Sequence, residues 1–450
     1  QRDMTSTFGF VLALLVLGTA GAAANTPPGP EPSHSGYIKV NETRDAHLFY
    51  WWFEARHPTS ETVPLVLWLS GGPGCSSELA LFEENGPYKL NGTQSPVITN
   101  NAYSWNMRAH LLFVDQPVGT GYSYSSVPTD LVTNEQQVAQ DLYNFLLEFF
   151  TKFPELKAAP FFVTGESYAG HYVPAVTYKV LTENLAKAHM QINLQGMAIG
   201  NGLVEPLRQY AAYTSFAKEN NLISEAERDV IQSAYYGLCA PAIEACRLAH
   251  PLPVGGAEVC VLAVEACQLA VFEPVYVAAM ATLKRTMNVY DIRKKCDDGG
   301  LCYDFSSLDS WANKPEVKEA LGTKGHEWSE CAMAPHTALL SDWMMNLEKH
   351  IPAILEAKLR VLVYAGDQDL ICNWVGNHAW TEAMKWSGAS EFRRAKPTNW
   401  TTAAGDVAGQ ATSYGTLTFL RVFQAGHMVP MDQPSHALDM LDHLITGKPF

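Results

Sequence analysis

The segment Gly165-Glu166-Ser167-Tyr168-Ala169-Gly170 constrains this chain more than any other. An apolar run, Pro160-Phe161-Phe162-Val163-Thr164, leads into it, and a stretch able to form a helix, from Tyr168 to about Glu183, leads out. A strand that turns sharply into a helix lifts a serine at its apex above a sheet edge. The residues two before and two after that serine must then be small. Gly165 and Ala169 meet the requirement. The alternative is a surface turn that happens to hold a serine, and the rest of the chain decides between the two.

The 450 residues are enough for one large α/β domain with an insertion, or for several smaller domains. A hydrophobic content of 47% and an aromatic content of 11% argue against disorder. The net charge of −15 excludes nucleic acid as a partner and suits a compartment of low pH. Residues 1–24 read as a secretion signal. Arg2 supplies positive charge, Phe8 to Leu17 is apolar, and Ala22-Ala23-Ala24 offers a cleavage site before Asn25. That run is too short to span a bilayer and no later stretch reads as spanning one, so no membrane association is expected after cleavage. Three glycosylation signals, at Asn41, Asn91 and Asn399, agree with the secretory route. Of nine cysteines, six lie between residues 239 and 302 and read as a disulfide-stapled subdomain. The odd count leaves one thiol over, which composition does not assign.

Six apolar runs read as buried parallel strands: Val63 to Leu69, Leu111 to Val114, Phe161 to Thr164, Met197 to Ile199, Leu359 to Tyr364 and Leu417 to Val422. Helical stretches alternate with them. Asn134 to Phe150, for example, places Val138, Leu142, Phe145, Leu146 and Phe149 on one face. The alternation predicts a doubly wound, mostly parallel sheet. The pattern breaks over residues 207–342, which read as a helical cap inserted over the sheet edge that carries α/β sites. The core is then 25–206 and 343–450.

A serine hydroxyl needs a base to take its proton and a third group to orient that base. Hydrolases of this architecture, the α/β-hydrolase fold, order the three Ser…Asp/Glu…His. After Ser167 the candidates follow predicted strands: Asp367 and Asp369 in Tyr364-Ala365-Gly366-Asp367-Gln368-Asp369, and His427 in Ala425-Gly426-His427-Met428. The residues alone leave both aspartates open. An oxyanion hole needs two backbone N–H groups, one after the nucleophile and one from a Gly-rich loop. Trp68-Leu69-Ser70-Gly71-Gly72-Pro73-Gly74 supplies such a loop, and it lacks the Lys-Ser/Thr ending of a phosphate-binding loop. No His-Glu-x-x-His and no zinc-spaced cluster occurs, so no metal or cofactor is implied.

From Ser35 to Pro434 the chain resembles the serine carboxypeptidases, the carboxypeptidase Y group. The resemblance rests on Gly71 through Ser77, Asp115-Gln116-Pro117-Val118-Gly119-Thr120-Gly121, Gly165 through Gly170, Ile371-Cys372-Asn373-Trp374 and Gly426-His427-Met428-Val429-Pro430. It implies a catalytic triad of Ser167, Asp369 and His427, with Gly72 and Tyr168 as oxyanion donors. A substrate carboxylate would be bound by Ser70, Gly71, Glu84 and Glu166. Ser70 stands where the family often has Asn, and a hydroxyl still donates one hydrogen bond. Neighbouring carboxyls resist ionising together, so the Glu84/Glu166 pair could donate to an anion at acidic pH. The same resemblance implies bridges Cys75–Cys331, Cys239–Cys267, Cys246–Cys260 and Cys296–Cys302, and leaves Cys372 unpaired. Cys372, Met428 and Trp343 would then wall the pocket.

The expected activity is release of C-terminal amino acids from peptides and proteins at acidic pH, through an acyl-enzyme, in the vacuole, the lysosome or outside the cell. Acyltransferases of the same family keep the triad, but retention of both glutamates favours the peptidase. A secreted protective scaffold with incidental catalysis is the reading from another class. A homodimer is compatible with the sequence, which leaves side-chain preference and processing of the cap open.

Overall fold

The computed structural model describes residues 29, 31–41, 45–57, 62–92, 96–127, 130–250, 255–296 and 301–450. The expected secretion signal lies outside these residues, as do Thr43 and Thr93 of two glycosylation signals. Thirteen strands occur among the described residues: β1 (Ser33–Asn41), β2 (Ala46–Phe53), β3 (Leu65–Leu69), β4 (Tyr88–Asn91), β5 (Val97–Asn100), β6 (His110–Val114), β7 (Tyr124–Ser125), β8 (Phe161–Glu166), β9 (Leu194–Gly200), β10 (Arg360–Gly366), β11 (Thr398–Thr401), β12 (Val407–Tyr414) and β13 (Leu417–Val422). The main sheet runs β1-β2-β6-β3-β8-β9-β10-β13-β12-β11, with β7 paired to β2. Its six central strands, β6 through β13 in that order, are mutually parallel. They are the six runs expected from sequence. Antiparallel pairs flank them, β1 and β2 on one side and β12 and β11 on the other.

Successive side chains of a strand face opposite ways, and the parallel strands feed two cores. Leu65, Leu67 and Leu69 of β3 face one core, and Val66 and Trp68 face the other. The first core holds the helix Glu135–Lys152 through Val138, Leu142, Phe145, Leu146 and Phe149. Asn134 starts that helix by accepting a hydrogen bond from the Gln137 N–H at 3.1 Å. The second core holds the helix Pro434–Thr446 through Ala437, Met440, Leu441 and Leu444. The result is the doubly wound α/β architecture.

Between Gly200 and Arg360 the described chain adds no strand to the main sheet. Helices Pro206–Glu219, Glu225–Ala234, Ala240–Ala249, Gly256–Cys267 and Glu273–Leu283 form the cap, with π-helical turns at Tyr235–Cys239 and Gln268–Phe272. Cys239–Cys267 and Cys246–Cys260 join its two long arms two helical turns apart, so the arms run side by side. The arm Gly256–Leu283 is 28 residues long and, by length and composition, apolar enough to cross a membrane, contrary to the expectation that no stretch after the signal would be. One side of it packs within the cap, where Cys260, Ala263, Cys267, Ala270, Val275 and Ala279 are buried, while Leu262, Leu269 and Val277 on the other side are exposed. Cys75–Cys331 and Cys296–Cys302 complete the four disulfides, and Cys372 is free and buried.

Candidate active site

The sharp turn after β8 places Ser167 at φ +66°, in the left-handed region, and the helix Ala169–Ala186 follows at once. The turn is tied on both sides. Ser167 N–H donates to Gly200 O at 3.1 Å, and Ser167 O accepts from Leu203 N–H at 2.9 Å. The small-residue requirement is a packing fact. A Cβ at Gly165 would sit 2.5 Å from Leu69 O and 2.7 Å from Ala169 Cβ.

Asp369 follows β10 and is fully buried. Its Oδ2 lies 2.8 Å from His427 Nδ1 and accepts from Asn201 Nδ2 at 2.8 Å. The backbone N–H of Ile371 donates to Oδ1 at 3.1 Å, and that of Cys372 to Oδ2 at 3.2 Å. Asp367 turns elsewhere, accepting from Gln424 N–H at 2.9 Å and pairing with Arg421 at 3.4 Å. The backbone N–H of His427 donates to Tyr290 O at 2.7 Å. Nε2 of His427 is buried without a hydrogen bond, so no Ser167 Oγ–Nε2 hydrogen bond is formed, but both residues line one cavity of about 410 Å³. Such contacts often close only when substrate binds.

The Gly-rich loop presses against this turn. A Cβ at Gly71 would lie 2.4 Å from Tyr168 N and 2.7 Å from Ser167 Cβ, so only glycine fits. Among the described residues, the backbone N–H groups of Gly72 and Tyr168 donate to no carbonyl. Cys75–Cys331 ties the loop to the C-terminal part of residues 207–342.

Glu84, just past the helix Glu78–Glu83, and Glu166, the last residue of β8, are both buried and line the cavity. Burial pushes the Glu84 carboxyl up to about 7. Burial first, and then Glu84, push Glu166 well above the usual carboxylate range. The two carboxyls act on one another, and Oε2 of each is buried without a partner. Neighbouring buried carboxyls resist ionising together, which favours a retained proton. Among the described residues, no lysine or arginine lines the cavity. Ser70 accepts from Trp68 Nε1 at 3.2 Å, which leaves its own O–H to donate.

Trp343, Cys372 and Met428 also line the cavity. The Trp343 ring lies 5.3 Å from that of Tyr168. Burial raises the Cys372 thiol well above its ordinary value. Sequence reasoning missed Asn201, Tyr210, Tyr213, Phe272, Tyr290 and Tyr303. Tyr210 and Tyr213 are three apart on one helix, a spacing that marks a shared face but not what the face meets.

The family model "Serine carboxypeptidase" matches residues 25–447. A "Serine carboxypeptidase-like 48" of Arabidopsis thaliana is 44% identical over 415 residues, covering 92% of this chain and 78% of that protein. "Carboxypeptidase Y" of Candida albicans is 40% identical over 421 residues, covering 92% and 73%. Among solved structures, a prohormone-processing carboxypeptidase from Saccharomyces cerevisiae matches with a TM-score of 0.79 and 25% identity, covering 93% of this chain and 92% of that one. The chain belongs to the serine carboxypeptidase family of hydrolases.

Proposed function

We propose that this chain removes single amino acids from the C-termini of peptides and proteins at mildly acidic pH. Ser167 attacks the last peptide carbonyl while His427 Nε2 takes its proton and Asp369 holds the imidazole. The N–H groups of Gly72 and Tyr168 stabilise the oxyanion. His427 then protonates the departing amine, and water, activated by the same imidazole, hydrolyses the acyl-enzyme.

The observation that carries this reading is the Glu84/Glu166 pair. A pair of carboxyls that keeps one proton, at the wall of a cavity lined by no lysine or arginine, can bind a carboxylate as a donor. An ester or acyl-sugar substrate has no use for it. Ser70 and the Gly71 N–H add donors on the same side, and Trp343, Cys372 and Met428 shape the walls. The four bridges support passage through an oxidising compartment on the secretory route, ending in the vacuole, the lysosome or outside. Asn399 and Asn91 are exposed, as sugar attachment requires. We divide the chain into a core of 25–206 and 343–450 with a cap of 207–342.

The test compares a blocked dipeptide, its C-terminal amide and an acyl-glucose ester offered with a small alcohol. The free acid should be hydrolysed far faster than the amide. Transfer from the acyl-glucose with no dipeptide hydrolysis would assign the chain to the acyltransferases instead.

A further inference from the structure

The cavity holds a second imidazole besides His427. His336, on the short helix Met333–Leu339, is half-buried and lines the cavity. Its Nδ1 lies 3.2 Å from Pro73 O, in the Gly-rich loop next to Gly72. A carbonyl only accepts, so Nδ1 carries a proton and donates it. The ring meets that of Trp343 edge-on at 5.9 Å, and a Cβ at Gly74 would lie 3.3 Å from His336 N. The backbone beside it is tied to the same loop by Ala332 N–H donating to Gly74 O at 2.8 Å and by Cys75–Cys331. The imidazole is therefore held on two sides. Its Nε2 makes no hydrogen bond and, unlike Nε2 of His427, is not buried.

Among the described residues no lysine or arginine lines the cavity, so its two histidines are the side chains there that can become cations. Nδ1 of His336 keeps its proton in either state of the ring. A second proton therefore goes to Nε2 and turns the open nitrogen into a charged donor. Imidazole gains that proton as pH falls from about 8 to about 5, while a carboxylate side chain stays ionised down to about pH 4. Between those limits an anion beside Nε2 meets a cation. Pro73 lies three residues along the loop from Ser70, which belongs to the proposed site for the terminal carboxylate, and Trp343, beside His336, packs on Tyr168 at 5.3 Å. We propose that His336 is a specificity-determining residue that selects substrates with an acidic side chain on the acyl side of the scissile bond. This rests on the peptidase reading above. The chain's net charge of −15 would otherwise disfavour such a side chain. On the elements packed against His336 the ionisable groups are Asp342, paired with His250 at 3.3 Å, and Glu330, and Pro335 packs on Gly119, whose loop carries Asp115 and Asp130. Glu84, Glu166, His427, Cys372 and five tyrosines line the same cavity.

The experiment measures kcat/KM for blocked dipeptides with glutamate or glutamine before the scissile bond, from about pH 4 to about pH 8, in wild type, His336→Asn and His336→Lys. The blocked p-nitrophenyl esters of the same two residues, which need no terminal carboxylate, are assayed in parallel, with Tm recorded for each protein. Asparagine can still donate to Pro73 O but brings no cation. Wild type should favour glutamate over glutamine about tenfold near pH 5, the scale of one charge-assisted hydrogen bond, and lose the preference by about pH 8. His336→Asn should lose it at every pH while keeping the glutamine rate within about twofold of wild type. His336→Lys should hold the preference up to about pH 8. The proposal is overturned if wild type shows no preference for glutamate near pH 5, or if folded His336→Asn keeps the wild-type ratio. Should His336→Lys fail to fold, His336→Asn still decides. Cleavage of the esters without hydrolysis of either dipeptide would remove the peptidase reading, while the ester ratios would still decide the role of His336.

Discussion

Asn201 and His427 converge on a single oxygen of Asp369: Asn201 Nδ2 and His427 Nδ1 each lie 2.8 Å from Oδ2. The carboxylate therefore has a fixed direction before substrate arrives, and the imidazole inherits it. With Nδ1 committed to Asp369, Nε2 is left without a partner beside the cavity that Ser167 also lines, as the proposed mechanism requires.

Two aspartate variants separate this arrangement from its neighbour. Asp369→Asn should lower kcat about 10⁴-fold with the fold kept, because an amide favours the wrong imidazole tautomer. Asp367→Asn should cost less than about tenfold, since Asp367 accepts from Gln424 and Arg421 instead. Steady-state kinetics on a blocked dipeptide distinguish them. Equal losses would undo the assignment.

In the proposed role of the Glu84/Glu166 pair, substrate binding should depend on pH. Below about 7 the pair holds a proton and can donate to a carboxylate, and above it that donor is lost. KM for a free-acid dipeptide should therefore rise as pH increases through about 7. Glu166→Gln should flatten the rise. A KM–pH curve identical to wild type would count against proton sharing.

Linkage gives the same pair a signature in stability. Glu84 rises on folding from its ordinary 4.5 to about 7, and Glu166 is raised as well. A raised carboxyl stabilises the fold fully below its unfolded value and loses that contribution as pH climbs to its folded value. Tm should fall between about pH 4.5 and about pH 7. The double variant Glu84→Gln/Glu166→Gln should lose part of that slope, as followed by circular dichroism. A slope as steep in the double variant as in wild type would exclude the pair as its source.

Gly71 offers a test of backbone geometry. An added methyl would sit 2.4 Å from Tyr168 N with backbone on the other side, so nothing flexible can give way. Gly71→Ala should lose at least about 100-fold in kcat, the scale of a lost oxyanion donor. Activity near wild type would show that the loop does not press on the turn as described.

The motifs of the site were legible because each is a turn that only certain residues can make: Gly165 beside Leu69 O, and Gly71 beside Tyr168 N. The six parallel strands were legible because burial on both faces leaves an unbroken apolar run. Of the flanking strands, β2 carries such a run from Leu48 to Phe53 without its being read as a strand, and the others lack one. β12, with Gly409, Gln410, Thr412 and Ser413, has little apolar signal, and β1 mixes half-buried polar and apolar residues. The choice between Asp367 and Asp369 needed either family resemblance or coordinates, because both sit in one loop. The aromatic walls, Tyr210, Tyr213, Tyr290 and Tyr303, all come from the cap, residues 207–342. Their helical or irregular context does not show what they face. Asn201 gave no signal at all, being a single polar residue after a strand.

The most direct measurement is the identity of the residue that carries the acyl group. Wild type quenched in acid during turnover of a blocked dipeptide p-nitrophenyl ester should give one adduct per chain by mass spectrometry, on Ser167. Ser167→Ala should fold with an unchanged Tm, form no adduct and release no C-terminal amino acid from a blocked dipeptide. An adduct on another residue, or peptide turnover surviving in folded Ser167→Ala, would contradict the account.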